Sequence, residues 1–275
     1  WAIKQCIYGD KMYGLPHDVE FIGPLYNKSI FSNLGLTEPK TYDEFINILE
    51  KLKNADHDPP ICLGVRDRYP GGWLFGNYIQ ACAGKEHFES ILYGDGRWDT
   101  KEMIRAASEM QNLVKQGYID SGLALSLKDE ESNSQLWWTG KSGVFFTGTW
   151  ILGDIIDYSF PGEWFPLPPI NSELSAGYTG GLGSGFAIAK ATNYPEIAAQ
   201  FLNFLFLSDE GQRCIIEIGK KVPPVSVEVE KLDIPPIFKN VIATLQGKKI
   251  GYNPSVWVPA SVKEVYYDNM VGLLG

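Results

Sequence analysis

The stretch from Leu136 to Ile156, LWWTGKSGVFFTGTWILGDII, constrains the fold more than any other part of the chain. A polar turn precedes the β-rich run Val144-Phe145-Phe146, and Thr147-Gly148-Thr149 then breaks the strand and offers a helix N-cap. Strands that lead into helix starts are typical of α/β sheets, which hold small ligands at the carboxyl ends of their strands. Trp150 follows such a strand end, so its indole is either a core aromatic or a flat apolar face for a ligand.

The charge balance restricts the classes of partner. The 275 residues include 24 Lys and Arg against 33 Asp and Glu, which gives a net charge of -9. An acidic surface disfavours nucleic acid and anionic membranes, and no apolar run approaches the roughly 20 residues that span a bilayer. Because 44% of the residues are hydrophobic, we expect a globular protein with a packed core and a neutral or weakly charged ligand.

No residue pattern predicts a metal, a cofactor or a catalytic group. The cysteines and histidines have no metal-ligand spacing: Cys6, Cys62, Cys82 and Cys214, with His17, His57 and His87. We interpret the cysteines as mostly buried thiols and leave their disulfide state open. The glycines of Tyr178–Gly185 precede a predicted strand, Phe186–Lys190, whereas a nucleotide loop follows a strand. They are better explained by a backbone that passes close to another segment or to a ligand.

Local patterns also predict several helix starts. Thr41 with Glu44 three residues later has the pattern of a capping box, and Thr100 precedes an amphipathic segment that Gly117 closes. Asn27 opens a helical turn through Phe31. These segments are scaffold, so candidate ligand contacts are sought at the strand ends.

Two more segments carry candidate site residues. Glu20 lies in the apolar extended segment Val19–Tyr26, and a carboxylate there is costly to bury without partners. It therefore faces solvent or belongs to a site. The predicted buried strand Ile61–Val65 ends in the polar and aromatic loop Arg66–Trp73 before another helix. This is a second strand that ends in charged and aromatic side chains.

Five segments together resemble one family. They are Gly9–Pro16 with Leu25–Lys28, Pro39–Phe45, Gly140–Trp150, Gly181–Ala198 and Leu207–Gln212. In this order they are similar to the "GKxYGLP…YYNK", "PKTWDE", "GKAAMxxxGxW", "GGxGxxIxKxSKNPEAA" and "LTSPEAQ" motifs of extracellular solute-binding proteins of sugar ABC importers, the group that includes maltose-binding protein. Each motif alone is weak, but five in family order are hard to obtain by chance.

The resemblance implies a fold and a set of ligand contacts. The fold is α/β and periplasmic-binding-protein-like (type II), with two lobes and a sugar held in the cleft by stacked aromatic rings and polar side chains. Carried over by position, the ligand-binding residues are Glu20, Arg66, Asp67, Tyr69, Trp73, Trp150, Tyr178, Gly180, Gly181 and, by a looser match, Trp257.

One departure from the family pattern affects the expected domains. Family members open with roughly a hundred residues of strand-helix-strand structure before the first motif, and this chain does not show that segment or the usual C-terminal tail. We expect a fragment in which residues 1–22 and 181–225 are a remnant of the N-terminal lobe with the crossover segments. Residues 23–180 and 226–275 then form the C-terminal lobe. Residues 1–22 and 186–206 should expose an apolar patch.

The function implied by the resemblance is non-catalytic. The protein would bind a mono- or oligosaccharide outside the cytoplasm, in the periplasm or as a lipid-anchored lipoprotein, and deliver it as a monomer to the permease subunits of an ABC importer. Two alternatives stay open. One is a glycosidase with a carboxylate pair such as Glu20 and Asp67. The other is a binding protein for another polar solute, such as a peptide or a polyamine. The identity of the sugar is not predicted.

Overall fold

The computed structural model describes residue 3 and residues 6–247 and 250–275. The chain divides into two compact units. The first consists of Trp1–Phe21, Thr149–Phe160 and Gly180–Lys248, and the second of Ile22–Gly148, Pro161–Thr179 and Lys249–Gly275. The predicted lobe boundaries at 22/23 and 180/181 lie next to two of these borders. Residues 149–160 and 226–248, which the sequence interpretation placed in the C-terminal lobe, cluster with the first unit.

Strands and helices alternate along most of the chain. The described strands are β1 (Ile7–Tyr8), β2 (Lys11–Met12), β3 (Leu15–Asn27), β4 (Ile61–Cys62), β5 (Val144–Gly148), β6 (Gly162–Trp164), β7 (Thr179–Phe186) and β8 (Gly251–Tyr252). The α-helices are α1 (Lys28–Asn33), α2 (Tyr42–Asn54), α3 (Tyr69–Cys82), α4 (Gly84–Tyr93), α5 (Lys101–Lys115), α6 (Ser121–Ser126), α7 (Asp129–Ser132), α8 (Leu152–Asp157), α9 (Pro195–Leu207), α10 (Asp209–Arg213), α11 (Pro236–Gly247), α12 (Pro254–Trp257) and α13 (Ala260–Leu274). Short π-helical turns at Asn133–Trp137 and Cys214–Ile218 extend α7 and α10.

The sheet is mixed and is centred on β3. Its strand order is β4-β5-β3-β7-β8, with β6 also paired to β3, and β1 and β2 form a separate hairpin. β3 and β5 are antiparallel with the register Ile22↔Gly148 through Tyr26↔Val144, whereas β4 and β5 are parallel. β3 and β7 each contribute residues to both compact units.

The predicted helix starts are confirmed by their caps. The Thr41 hydroxyl accepts from the Glu44 N–H at 3.2 Å, and the Glu44 carboxylate accepts from the Lys40 N–H at 2.7 Å. Glu44 therefore reaches one residue beyond the partner that a capping box uses. Asn27 caps α1 and Thr100 caps α5 through their side chains. Each cap satisfies backbone donors that the first helical turn leaves without a partner.

A large aromatic and aliphatic core holds the second unit together. Phe45 of α2 is fully buried and packs edge-on against Phe146 of β5 and Phe165, with ring centroids 6.2 and 6.0 Å apart. The amphipathic faces of α2 and α5 and most of the apolar α3 contribute to the same core. This packing fixes the carboxyl ends of β4 and β5, from which the candidate loops start.

The first unit has a small core and an exposed apolar face. Its buried cluster contains Leu202, Phe206 and Ile215. The exposed large hydrophobic side chains include Tyr8, Met12, Tyr13, Phe186, Ile188, Ile197, Phe201 and Phe204. The apolar patch predicted on residues 1–22 and 186–206 is therefore confirmed for the described part of those ranges, which leaves out Trp1.

The predicted strand Phe186–Lys190 is wrong. β7 runs from Thr179 to Phe186, so the glycines lie inside the strand and residues 187–190 lie beyond it. The local composition pointed to a loop because glycine is unfavourable in strand interiors. The expectation that these glycines allow a close approach is confirmed, since a Cβ on Gly183 would lie 2.6 Å from the Glu20 Cδ atom.

Two other local predictions need correction. β4 is shorter than the predicted Ile61–Val65, because the chain leaves β5 and the Val65 N–H donates to the Ala124 carbonyl at 2.7 Å. Thr149 begins a 3₁₀ turn instead of capping a helix, and its hydroxyl accepts from the Phe21 N–H at 3.4 Å. In both cases the hydrogen-bonding group, the Val65 N–H or the Thr149 hydroxyl, bonds to a segment far along the chain instead of to the strand or helix that the local pattern predicted.

No described helix combines the length and the apolar character that a transmembrane span requires.

We expect Gly64→Ala to destabilise the second unit by about 1–3 kcal/mol or more, because an added methyl group would overpack a rigid contact. A Cβ at residue 64 would lie 2.3 Å from the Lys128 carbonyl oxygen, a backbone atom that cannot swing away. The matched control is Gly272→Ala in α13, where no atom lies within 4 Å of the added Cβ. Urea denaturation should show the control unchanged or slightly stabilised. Equal stability of the two variants would contradict the packing argument.

Candidate ligand-binding site

The predicted site residues divide between the two compact units. The first unit contains Glu20, Trp150, Gly180 and Gly181. The second unit contains Arg66, Asp67, Tyr69, Trp73, Tyr178 and Trp257. The candidate side chains are therefore described as two sets, one for each unit, and their role in ligand binding stays a prediction.

Asp18, a buried charged residue of the first unit next to Glu20 in β3, was not predicted. Its side chain is 2% exposed, and Oδ1 accepts from the Ser184 N–H at 2.9 Å and from the Ser184 hydroxyl at 2.5 Å. Burial alone would raise the pKa of Asp18, but hydrogen bonds from His17 and Ser184 and the charge of Lys221 outweigh burial and lower it. Asp18 is therefore ionised and held in one position.

Glu20 lies two residues further along β3, on the same face as Asp18. Its side chain is 17% exposed, and the Lys221 Nζ lies 3.6 Å from Oε1. Burial and the neighbouring Asp18 charge raise the pKa of Glu20 above the ordinary carboxyl range, while Lys221 opposes that rise. Glu20 is thus a partly buried carboxyl group with polar neighbours, as the cost of burying it required.

The glycines of β7 leave room for these carboxylates. Gly183 passes so close that a Cβ there would lie 2.7 Å from Asp18 Oδ2. Gly180 and Gly181, earlier in the same strand, are buried. β7 therefore approaches the two carboxylates through the backbone of its glycines, and Ser184 adds its hydroxyl group as a hydrogen-bond donor to Asp18.

Trp150 lies where the sequence placed it, just beyond the end of β5. It is in the 3₁₀ turn Thr149–Ile151, and its neighbours Thr149 and Ile151 are buried while Trp150 is half-buried. Part of the indole is therefore accessible, as a ligand-stacking ring requires.

His17, Asp18 and Ser184 have the residue types of a hydrolytic triad but not its geometry. In such triads the histidine bridges serine and aspartate through its two different ring nitrogens. Here Nδ1 alone lies 3.2 Å from Asp18 Oδ1 and 3.0 Å from Ser184 Oγ, and the serine hydroxyl donates directly to Asp18. This arrangement anchors Asp18 and does not activate Ser184.

In the second unit, Tyr69 and Trp73 lie on the first turns of α3. Their ring centroids are 4.8 Å apart with an interplanar angle of 49°, and both rings are half-buried. They sit one helical turn apart, so their side chains share a face of the helix. The pair is a ready aromatic surface at a strand-to-helix junction.

The charged residues before this pair contact the end of α6, the residue before α7 and α7 itself. Arg66 donates to the Ser126 carbonyl at 3.1 Å and to the Glu131 carboxylate at 2.9 Å. Asp67 lies 3.9 Å from the Lys128 ammonium. Both are more exposed than a core pair, so these contacts shape the loop and contribute little stability.

Asp129 is a further candidate that the sequence interpretation missed. It is 8% exposed, and its Oδ1 atom is buried without a hydrogen-bond partner among the described residues. Burial, with the nearby charges of Glu130 and Asp67, raises the pKa of Asp129 to about 7. Burial followed by the Asp129, Glu130 and Asp67 charges raises the pKa of Tyr69 to about 12. Asp129 therefore lies within electrostatic range of Tyr69 and offers a polar atom without a hydrogen-bond partner among the described residues.

The remaining predicted residues are more enclosed. Tyr178 is 6% exposed and covers Gly23, where a Cβ would lie 2.6 Å from the tyrosine ring. Trp257 is half-buried and packs edge-on against Tyr252, with centroids 4.9 Å apart. Tyr178 is thus part of the packing of its unit, whereas Trp257 retains an accessible edge.

Within the part of the chain that the structure describes, no three His, Cys, Asp or Glu side chains cluster in a way that could hold a metal ion. Cys62 and Cys82 are buried free thiols, as predicted, but Cys6 is half-buried and Cys214 is exposed. The prediction of mostly buried cysteines is therefore right for two of the four.

Comparison with known proteins identifies related sequences. Residues 2–212 match the family model described as "Bacterial extracellular solute-binding protein". An uncharacterized ABC transporter extracellular-binding protein of Pyrococcus horikoshii is 29% identical over 214 residues, which are 77% of this chain and 47% of that protein. The multiple sugar-binding protein of Streptococcus mutans is 25% identical over 239 residues, 80% of this chain and 53% of that protein. The chain spans about half the length of these relatives.

A solved structure extends the comparison to the fold. A chitin oligosaccharide binding protein superposes with a TM-score of 0.85 at 21% sequence identity, over 99% of this chain and 69% of that one. The predicted α/β fold of the periplasmic-binding-protein-like type is thereby confirmed.

We expect the free energy of unfolding of the wild-type protein to fall as pH rises, because Asp129 becomes ionised, and we expect Asp129→Asn to abolish this fall. Because the folded-state pKa is about 7 and the unfolded value is about 3.9, the protonated form is favoured by folding. This contribution is complete below about pH 4 and is lost as pH rises through about 7. Denaturation at pH 8 should show the variant more stable by on the order of 4 kcal/mol, the free-energy equivalent of about three pKa units.

The control for this experiment is Asp95→Asn, at an exposed aspartate of the same unit. Its stability should follow the wild-type curve between pH 4 and pH 8. Parallel curves for the wild type and Asp129→Asn would mean that Asp129 is not held protonated by burial.

Proposed function

Because the chain belongs to the bacterial extracellular solute-binding proteins, we propose that it is a non-catalytic carbohydrate-binding protein. In this proposal it binds a mono- or oligosaccharide outside the cytoplasm and delivers it, as a monomer, to the permease subunits of an ABC importer. We propose that the protein is located either in the periplasm or at the cell surface, held there by a lipid anchor.

One observation carries the choice of carbohydrate. The half-buried Tyr69 and Trp73 rings contact each other, and Tyr69 lies within electrostatic range of Asp67 and of the buried Asp129, whose Oδ1 has no partner in the described structure. Sugars present apolar C–H faces to stacking rings and hydroxyl groups to carboxylates. An aromatic surface beside carboxylate acceptors therefore matches both faces of a pyranose.

The second set of candidates has a similar composition. It combines the half-buried Trp150 with Glu20 and the buried glycines of β7. We propose that each of the two sets contributes ligand contacts, and that the C-terminal lobe corresponds to the second compact unit, Ile22–Gly148, Pro161–Thr179 and Lys249–Gly275. The names of the multiple sugar-binding protein and the chitin oligosaccharide binding protein support a saccharide ligand.

The glycosidase alternative receives less support from the structure. Each of its proposed carboxylates, Glu20 and Asp67, has a lysine ammonium group within 4 Å. The relatives with descriptive names are binding proteins. The non-catalytic proposal is favoured because it uses the aromatic rings, which hydrolysis by a carboxylate pair leaves unexplained.

A thermal-shift screen of the full-length protein tests this function. Diacetylchitobiose, raffinose, maltotriose and monosaccharides should be compared with a tripeptide and spermidine, since a ligand that binds only the folded state raises the melting temperature. We expect a shift with at least one saccharide and none with the tripeptide or spermidine. A shift with spermidine alone, or turnover of chromogenic glycosides by the same sample, would overturn the proposal.

We expect Trp150→Ala to weaken saccharide binding by about a hundredfold while the protein stays folded. Covering about half of an indole at roughly 25 cal/mol per Å², with a ring-stacking gain, contributes about 3 kcal/mol. Calorimetric titration measures the affinity, and a thermal melt of the same sample measures stability. The control is Trp98→Ala, at a partly exposed indole of the second unit outside the predicted site, which should bind normally. Normal affinity with a sharply lower melting temperature would make Trp150 a core residue.

A further inference from the structure

We propose that Lys221 is a positioning residue for ligand binding: its ammonium group favours the ionised form of the Glu20 carboxyl group and holds that group in place beside the buried Asp18. This inference rests on the proposed function for the role of Glu20. It adds a residue that lies outside the predicted site and outside residues 2–212, which match the family model.

The geometry places Lys221 between two carboxylates of one strand. Its Nζ lies 3.6 Å from Glu20 Oε1 and 3.9 Å from Asp18 Oδ2. Asp18 and Glu20 are separated by one residue of β3, so their side chains share a face of the strand. A single cation is thus shared by two enclosed carboxylates, which are 2% and 17% exposed.

Glu20 depends on this cation more than Asp18 does. Asp18 also accepts hydrogen bonds from the Ser184 N–H and hydroxyl and lies 3.2 Å from His17 Nδ1. These partners keep Asp18 ionised, and its negative charge then opposes ionisation of its neighbour. Gly183 covers the pair with backbone alone. The charged groups facing Glu20 are therefore Asp18 of its own strand and Lys221, with His17 beyond Asp18.

The main chain around Lys221 is fixed on both sides. The Lys221 N–H donates to the Ile215 carbonyl at 3.1 Å, at the end of the π-helical turn. The Val222 carbonyl accepts from the Val19 N–H at 2.9 Å, and Val19 is the residue between the two carboxylates. The lysine side chain therefore starts from a backbone that is bonded directly to β3, which sets the position of its ammonium group.

Lys220 provides a matched control because it is adjacent and makes a different contact. Its ammonium group donates to the Asp157 carboxylate of α8. The Lys220 backbone has a positive φ of 51°. Methionine and lysine have a similar conformational free energy at such a φ, so the substitution adds no backbone strain. Substituting either lysine with methionine removes one charge and keeps most of the aliphatic stem, so the two variants differ only in which carboxylates lose a partner.

The test is a titration of the Glu20 carboxyl group by carbon-13 NMR in the full-length protein without ligand. The resonance is assigned by its loss in Glu20→Gln. We expect Lys221→Met to move the titration midpoint upward by about one to three pH units, the usual effect of an opposite charge within 4–6 Å. Lys221→Arg should restore the wild-type midpoint, and Lys220→Met should leave it unchanged.

The same variants are then titrated with diacetylchitobiose and raffinose between pH 5 and pH 9. At pH 7, Lys221→Met should bind the recognised saccharide about tenfold more weakly than the wild type and recover affinity at higher pH, because an ionised carboxylate accepts stronger hydrogen bonds. A purely structural role for Lys221 would lower affinity equally at every pH.

Two results would overturn the inference: an unchanged Glu20 midpoint in Lys221→Met, or an equal shift in Lys220→Met. If Lys221→Met fails to fold, Lys221→Gln makes the same test, since it also removes the ammonium charge and should raise the Glu20 midpoint. If the NMR shift occurs but no saccharide binds at any pH, the proposed function fails and Lys221 keeps only its effect on Glu20 ionisation.

Discussion

The backbone pairing of β3 is the constraint on which the rest of the structure depends. β5 and β6 pair with its carboxyl-terminal half, and β7 also pairs with β3. Because the backbone groups of β3 are hydrogen-bonded on both edges, the strand cannot shift, and the segments packed against it must fit its position. Gly23 lies under the Tyr178 ring and Gly183 lies over Glu20, and neither position has space for a Cβ. Glycine is therefore required at these two positions, because the Tyr178 and Glu20 side chains occupy the space that a Cβ atom would need.

Electrostatics follows from the same enclosure. Asp18 is ionised because Ser184 and His17 bond to it, whereas burial and a like charge disfavour ionisation of Glu20. In the second unit Asp129 has no such partner on Oδ1, and burial dominates its pKa. Asp18 therefore differs in protonation from Glu20 and Asp129, because its hydrogen-bond partners outweigh burial and theirs do not.

The sequence predicted the features that depend on neighbouring residues. The caps at Asn27, Thr41 and Thr100 are local, as is the strand that leads to Trp150, and the structure confirms them. The misassigned β7 and the unrecognised Asp18, Asp129 and Lys221 depend on partners far along the chain. Asp18 meets Ser184 across 166 residues of sequence, and no local pattern records that contact. An acidic run at the start of α7 was the one available signal for Asp129, and such runs also suit helix N-termini.

The exposed apolar face of the first unit has a consequence for measurement. Tyr8 is 82% exposed and Ile197 62% exposed, and Phe201 and Phe204 lie on the same helix as Ile197. Apolar faces of this kind favour association between molecules. If two copies meet through this face, folding and association become linked equilibria, and the apparent free energy of unfolding then depends on protein concentration. Sedimentation at several concentrations therefore belongs before any comparison of variants, since a substitution that alters self-association would otherwise be mistaken for one that alters the fold.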